Sequence, residues 1–242
     1  MSSFLKEMAC KIRKSTSEGF RSLPVLLGGS ILVMGLAQGN LNLLFFFVGM
    51  FVLTPLATVI LNMLVEFLFS IWPFTNISKL FWYTDKANSE ICTLFSTPIK
   101  GQEFAEPTGG TVVPSYWMTI MAFFFTYLYA NANELYSKPT EPNAPSQGVM
   151  ARKSQSMISI LVLIISAVLF TFFRYTTTCE TGLGICVSWI LGSSLAYAWY
   201  NFMRSCGLGR LDDIFGISNQ LLPHQSYEDE QPKVCLPTHS TN

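Results

Sequence analysis

The longest apolar tract in the chain, Leu41 to Phe74, reads LNLLFFFVGMFVLTPLATVILNMLVEFLFSIWPF. As a helix rising ~1.5 Å per residue it is about 50 Å long, more than the ~30 Å of bilayer hydrocarbon, so it must tilt, kink or fold back. Pro55 stands near its middle, where the missing N–H predicts a bend. Thr54, Thr58, Asn62, Glu66 and Ser70 recur every four residues and so share one slowly winding helical face. A carboxyl at mid-membrane costs on the order of 3 kcal/mol on insertion scales. This row is therefore expected to pack against other helices, where its polar groups act as glue.

The flanking pattern extends the membrane reading in both directions. Residues Met1 to Leu23 carry Lys6, Lys11, Arg13, Lys14 and Arg21 among Phe4, Leu5, Met8 and Ile12, the spacing of a basic amphipathic helix at a cytoplasmic membrane surface. Pro24 to Ala37 is a shorter apolar run of about 15 residues, marginal for a crossing, that ends in the turn signal Gln38-Gly39-Asn40. It is expected as a hairpin arm or a re-entrant piece. Gly35 and Gly39 also form a GxxxG spacing, compatible with close packing. Residues 75–113 are a polar loop, and Pro114 to Ala130 is a second span opened by Pro114 with Tyr116 and Trp117 at the interface. Asn131 to Gln155, holding Pro139, Pro142 and Pro145, reads as a loop; Ser156 to Phe173, between Lys153 and Arg174, is the cleanest span. In the last span, Leu183 to Phe202, Ser188, Gly192 and Ala196 fall at four-residue steps and predict a helix contact seam.

The expectation is an all-α, multi-pass transmembrane helical bundle with four firm spans plus a short N-terminal hairpin or re-entrant segment. Its parts are a basic N-terminal segment (1–23), a membrane hairpin or long helix (24–74), a polar loop (75–113), a three-span region (114–204) and a juxtamembrane tail (205–242). In the tail, Leu208, Leu211, Ile214, Phe215, Leu221 and Leu222 can form a short amphipathic segment. Lys and Arg counts bear on topology. Two crossings within 24–74 place nine basic residues on one side and six on the other; one or three crossings give eleven against four. The charge rule prefers the odd number, with both chain ends cytoplasmic.

Composition agrees with a lipid environment: 50% apolar, 14% aromatic and only 12% charged, about half the charge of a soluble domain. A net charge of zero supplies no field for nucleic acid, which is not expected as a partner. The six cysteines show no zinc spacing and read mainly as free thiols, with Cys179 and Cys186 close enough in sequence to bridge on an oxidising side. No metal or cofactor is expected.

Candidate chemistry is sparse. The two histidines, His224 and His239, both lie in the tail, and no nucleotide-binding or zinc-protease motif occurs. Glu66 allows one functional alternative, an ion or proton site in a small channel or transporter. Pro114-Ser115 opening a span, with Arg204, Arg210 and Asp213 downstream, is superficially similar to the membrane phosphatidic acid phosphatases. Those enzymes need two histidines, and Tyr116-Trp117 and Arg210 stand in the approximate places, so the resemblance implies at most an inactive relative and no enzyme.

A basic N-terminus, aromatic-rich spans with long polar loops, and the juxtamembrane sequence Gly209-Arg-Leu-Asp-Asp-Ile-Phe-Gly together resemble a known class. These are the multi-pass membrane proteins that lie under the capsid of large icosahedral DNA viruses of algae. The resemblance implies a structural anchor in a virion inner membrane, with the bilayer and other structural proteins, such as minor capsid proteins, as partners. Homo-oligomerisation is compatible with it. Arg210, Asp212, Asp213 and Phe215 are then the first candidates for docking.

Overall fold

The computed structural model describes residues 2–71, 114–138, 146–177 and 180–205, which are all-helical with no strand among them. Helix α1 (Ser2–Gln38) and helix α2 (Leu41–Val48) form an antiparallel hairpin. A π-helical turn (Gly49–Leu53) carries α2 into α3 (Thr54–Ile71). Then come α4 (Tyr116–Ser137), α5 (Ser146–Thr176) and α6 (Gly182–Ser205).

The hairpin turn follows from three residues. Gly39 has φ 61°, a left-handed conformation that only glycine adopts without strain. The Asn40 side chain then accepts from the Asn42 N–H at 3.0 Å and caps α2. Gly35 lets the arms close, since a Cβ there would stand 3.1 Å from Cβ of Leu43. The GxxxG pair is therefore divided in use: Gly35 serves packing and Gly39 serves the turn.

Residues 1–23 and Pro24 onward do not separate as the sequence suggested. Helix α1 runs unbroken through Pro24. A proline inside a helix removes one hydrogen bond and crowds the preceding turn. Here packing on both sides offsets that cost: Phe20 stacks on Phe173 at 4.3 Å between centroids and meets Phe170 edge-on, while Leu23 and Leu27 join the cluster around Trp117 and Met121.

Pro55 produces a local change of helix type. In a continuous α-helix its ring would clash with the carbonyl of Phe51. The chain widens just before it, so that the Thr54 N–H reaches back five residues to the Gly49 carbonyl.

Helix α4 is the centre of the bundle, with twelve of its residues buried. Phe46 of α2 stacks on Tyr127 at 4.5 Å, and α6 lies parallel to α4 along its whole length, from Ser115–Ser188 to Tyr127–Tyr200. Helix α5 runs antiparallel on another flank through Leu163, Ala167 and Phe170. Among the described residues three helical stretches are long and apolar enough to cross a membrane: Leu41–Leu64, Gly148–Thr176 and Gly182–Ser205. Helix α4 is not among them and Ser22–Gln38 is shorter, so three of the expected spans meet this measure and a fourth does not among the described residues. Four antiparallel reversals put the start of α1 and the end of α6 at opposite ends of the bundle.

The loop expected over 131–155 is also shorter. Helix α4 continues to Ser137 and α5 begins at Ser146, leaving the three prolines in the connection. The polar end of α4 stays helical because Glu134 is held by Tyr200 and Arg204 of α6.

Candidate functional site

The polar side chains inside the bundle fall into a row on α3, a seam between α4 and α6, and one cluster at each end. In the row, Thr54 and Thr58 are fully buried and Asn62 nearly so. Both hydroxyls turn back on their own helix. Thr54 Oγ1 donates to the Gly49 carbonyl and Thr58 Oγ1 to the Thr54 carbonyl, each at 2.8 Å. The expected interhelical glue is therefore not what these threonines supply. Their hydroxyls satisfy themselves locally, which lets them lie in an apolar interface at little cost. Asn62 Oδ1 is buried with no hydrogen-bond partner among the described residues. Glu66 and Ser70 continue α3, and their side chains lie outside the described residues.

Ser188, Gly192 and Ala196 are all buried against α4. The Ser188 hydroxyl accepts from the backbone N–H of Ser115 at 3.2 Å, and the Ser115 hydroxyl accepts in turn from the Met118 N–H, capping α4. Gly192 allows the closest approach, for a Cβ there would stand 2.5 Å from the Thr119 carbonyl oxygen and 2.7 Å from Cβ of Ala122. One turn on, the hydroxyls of Thr126 and Ser193 are 2.9 Å apart. The packing of small residues that brings two membrane helices together is built here from both sides.

The two end clusters contain the charged groups. At the start of α4, Arg174 Nη2 donates to Glu180 Oε1 at 2.8 Å, with both side chains almost wholly buried. The guanidinium lies over the Trp117 ring, 4.7 Å from its centroid. At the other end Tyr200 donates to Glu134 Oε2 at 2.7 Å, Arg204 pairs with Glu134 Oε1 at 3.1 Å, and Arg152 Nη2 donates to the Lys138 carbonyl at 2.8 Å. Sequence reading used Arg174 only as a span boundary and missed both clusters. The signal for the first was two opposite charges six residues apart, flanking a short connection beside an aromatic helix start.

A further contact ties three helices at the π turn. The Trp199 indole N–H donates to the Phe45 carbonyl at 3.0 Å. Gly49 packs so tightly that a Cβ would stand 2.6 Å from the Phe123 ring and 2.7 Å from the Trp199 indole. Among the described residues no group of His, Cys, Asp or Glu could hold a metal ion. Cys186 is a free, exposed thiol. Its proposed bridging partner Cys179, and Arg210, Asp212, Asp213 and Phe215, lie outside the described residues. Compared with family models, with characterised proteins and with solved structures, the chain matches none.

Proposed function

We propose that the protein is a structural membrane anchor: a helical bundle that fixes an assembly to a bilayer through its terminal segments. The observation that carries this reading is how the interior polar groups are used. Ser115, Ser188, Thr126, Ser193, Glu134, Tyr200, Arg174, Glu180 and Trp199 hold helix to helix or helix to connection, and Thr54 and Thr58 bond within their own helix. Stacked aromatic side chains fill the space around α4 between the two end clusters. Such an interior favours a fixed shape over a moving one.

The assembly proposed is a protein shell over the membrane, on the strength of the resemblance to virion membrane proteins. Arg210, Asp212, Asp213 and Phe215 are the proposed docking residues. Deleting Gly207 to Asn242 is expected to keep the chain in the membrane while releasing proteins recovered with it in mild detergent. Unchanged recovery after that truncation refutes the docking role.

The channel reading keeps one supporting observation, the unpartnered Asn62 Oδ1 buried one turn before Glu66. It requires that Glu66→Gln abolish an ion or proton flux measured in liposomes. Under the anchor reading the same substitution leaves insertion and partner recovery intact.

A further inference from the structure

Helices α5 and α6 both lean on α4 yet diverge from each other. Between them lies an apolar cleft of about 640 Å³, within the ~300–1,000 Å³ of ligand clefts. Ile164, Val168 and Phe172 of α5 face Ile185 and Trp189 of α6 across it. A smaller hollow of about 120 Å³ shares Ile164 and Trp189 and continues it along α4. The polar atoms between its two walls satisfy each other: the Thr171 hydroxyl donates to the Ala167 carbonyl at 2.8 Å and accepts from the Trp189 indole at 3.1 Å. Away from Tyr175 and Gly182 at one end, the lining is apolar and suits a hydrocarbon occupant.

Both walls belong to helices long and apolar enough to cross a membrane, so on the membrane reading the cleft opens onto acyl chains. From Ile164 to Tyr175 it extends about 16 Å at ~1.5 Å per residue, close to half of the ~30 Å hydrocarbon layer, the depth of one leaflet. Its mouth lies where α5 ends, beside Tyr175 and Gly182, and Tyr175 is of the aromatic type found at headgroup level. A helix from a second copy is the poorer occupant, because membrane helices close on small residues and these walls present Ile, Val, Phe and Trp.

We infer that the α5–α6 cleft holds one acyl chain of a membrane phospholipid, laid along the two helices with its glycerol end at the Tyr175–Gly182 mouth. The inference rests on the membrane reading, and carbonate extraction of the source membranes tests that reading separately. The full chain is purified in mild detergent from membranes of one defined phospholipid, stripped by successive washes and weighed intact by native mass spectrometry. One phospholipid per chain is the expected result. Ala167→Phe and Val168→Trp, which fill the cleft, lower the lipid-bound fraction by about tenfold, a loss of ~1.4 kcal/mol in binding. Leu169→Trp, on the exposed face of α5 turned away from the cleft, leaves it unchanged. Val168 is itself exposed, so its replacement keeps the test valid if the Ala167 variant does not fold. A chain that resists carbonate but retains no phospholipid overturns the inference alone; a chain washed out by carbonate overturns the membrane reading with it. A fatty acid in place of a phospholipid, a dimer in place of a lipid adduct, or equal loss in all three variants also overturns it.

Discussion

Helices α5 and α6 both rest on α4, and they are held there by opposite means. Helix α6 meets it through small residues along its full length, with Gly192 against the Thr119 carbonyl, the Ser188 hydroxyl accepting from the Ser115 N–H on one side and the Thr126–Ser193 hydroxyl pair on the other. Helix α5 shows most of its surface to its surroundings; only 6% of its apolar window is buried, against 28% for α6. It is tied by a charge pair at one end, by Arg152 at the other, and by three or four side chains between. Lipid removes the hydrophobic drive between helices, so contact depends on close backbone approach and polar bonds. A helix rich in Leu, Ile and Val offers few small residues to close on, its polar ties are confined to its ends and to Thr171, and it stays at the rim.

Four substitutions probe that contrast, each read by unfolding the protein in mixed detergent and SDS. The largest effect is expected at the end of α5, where Arg174→Ala strands the buried Glu180 carboxylate and costs about 3–5 kcal/mol. Replacing both partners, Arg174→Met with Glu180→Leu, is expected to recover most of that loss. A double variant as unstable as the single one shows that the charges act independently. Next, Gly192→Val drives methyl groups into the Thr119 carbonyl and is expected to cost about 1–3 kcal/mol or to separate α6 from α4. Wild-type stability in that variant dissolves the distinction between the two helices. Trp199→Phe keeps an aromatic side chain but deletes the bond to the Phe45 carbonyl and part of the packing on Gly49, for about 1–2 kcal/mol. Leu161→Ala on the outer face of α5 is expected to change stability by less than about 0.5 kcal/mol. A larger loss there means that α5 is covered by protein and not by lipid.

The same contrast explains what could be read from the sequence. Turn chemistry was legible: Gln38-Gly39-Asn40 carries its own geometry, and the hairpin closes there. The row Thr54, Thr58 and Asn62 and the seam Ser188, Gly192 and Ala196 stood out because polar and small residues are rare against an apolar background. Both lie inward in the structure. Helix α4 was harder to rank. Its aromatic and polar residues make it less apolar than its neighbours, and it occupies the middle because they surround it. The helix through Pro24 and the polar end of α4 depend on tertiary partners, Phe173 and Arg204, more than 60 residues away. Local pattern does not register such distances. The Arg174–Glu180 pairing was open to suspicion from its spacing, but its burial was not, because nothing in a sequence says whether two nearby charges are wet or dry.

The widened turn at Gly49–Leu53 gives the chain one residue more than a regular α-helix needs there. That surplus acts as slack in the thread. Removing Val52, which points outward, lets the turn tighten to ordinary pitch while the helices before and after keep their aim. The same deletion two turns later, at Ile60, has no slack to absorb it and swings everything beyond by about 100°, carrying Asn62 and Glu66 out of line with Thr54 and Thr58.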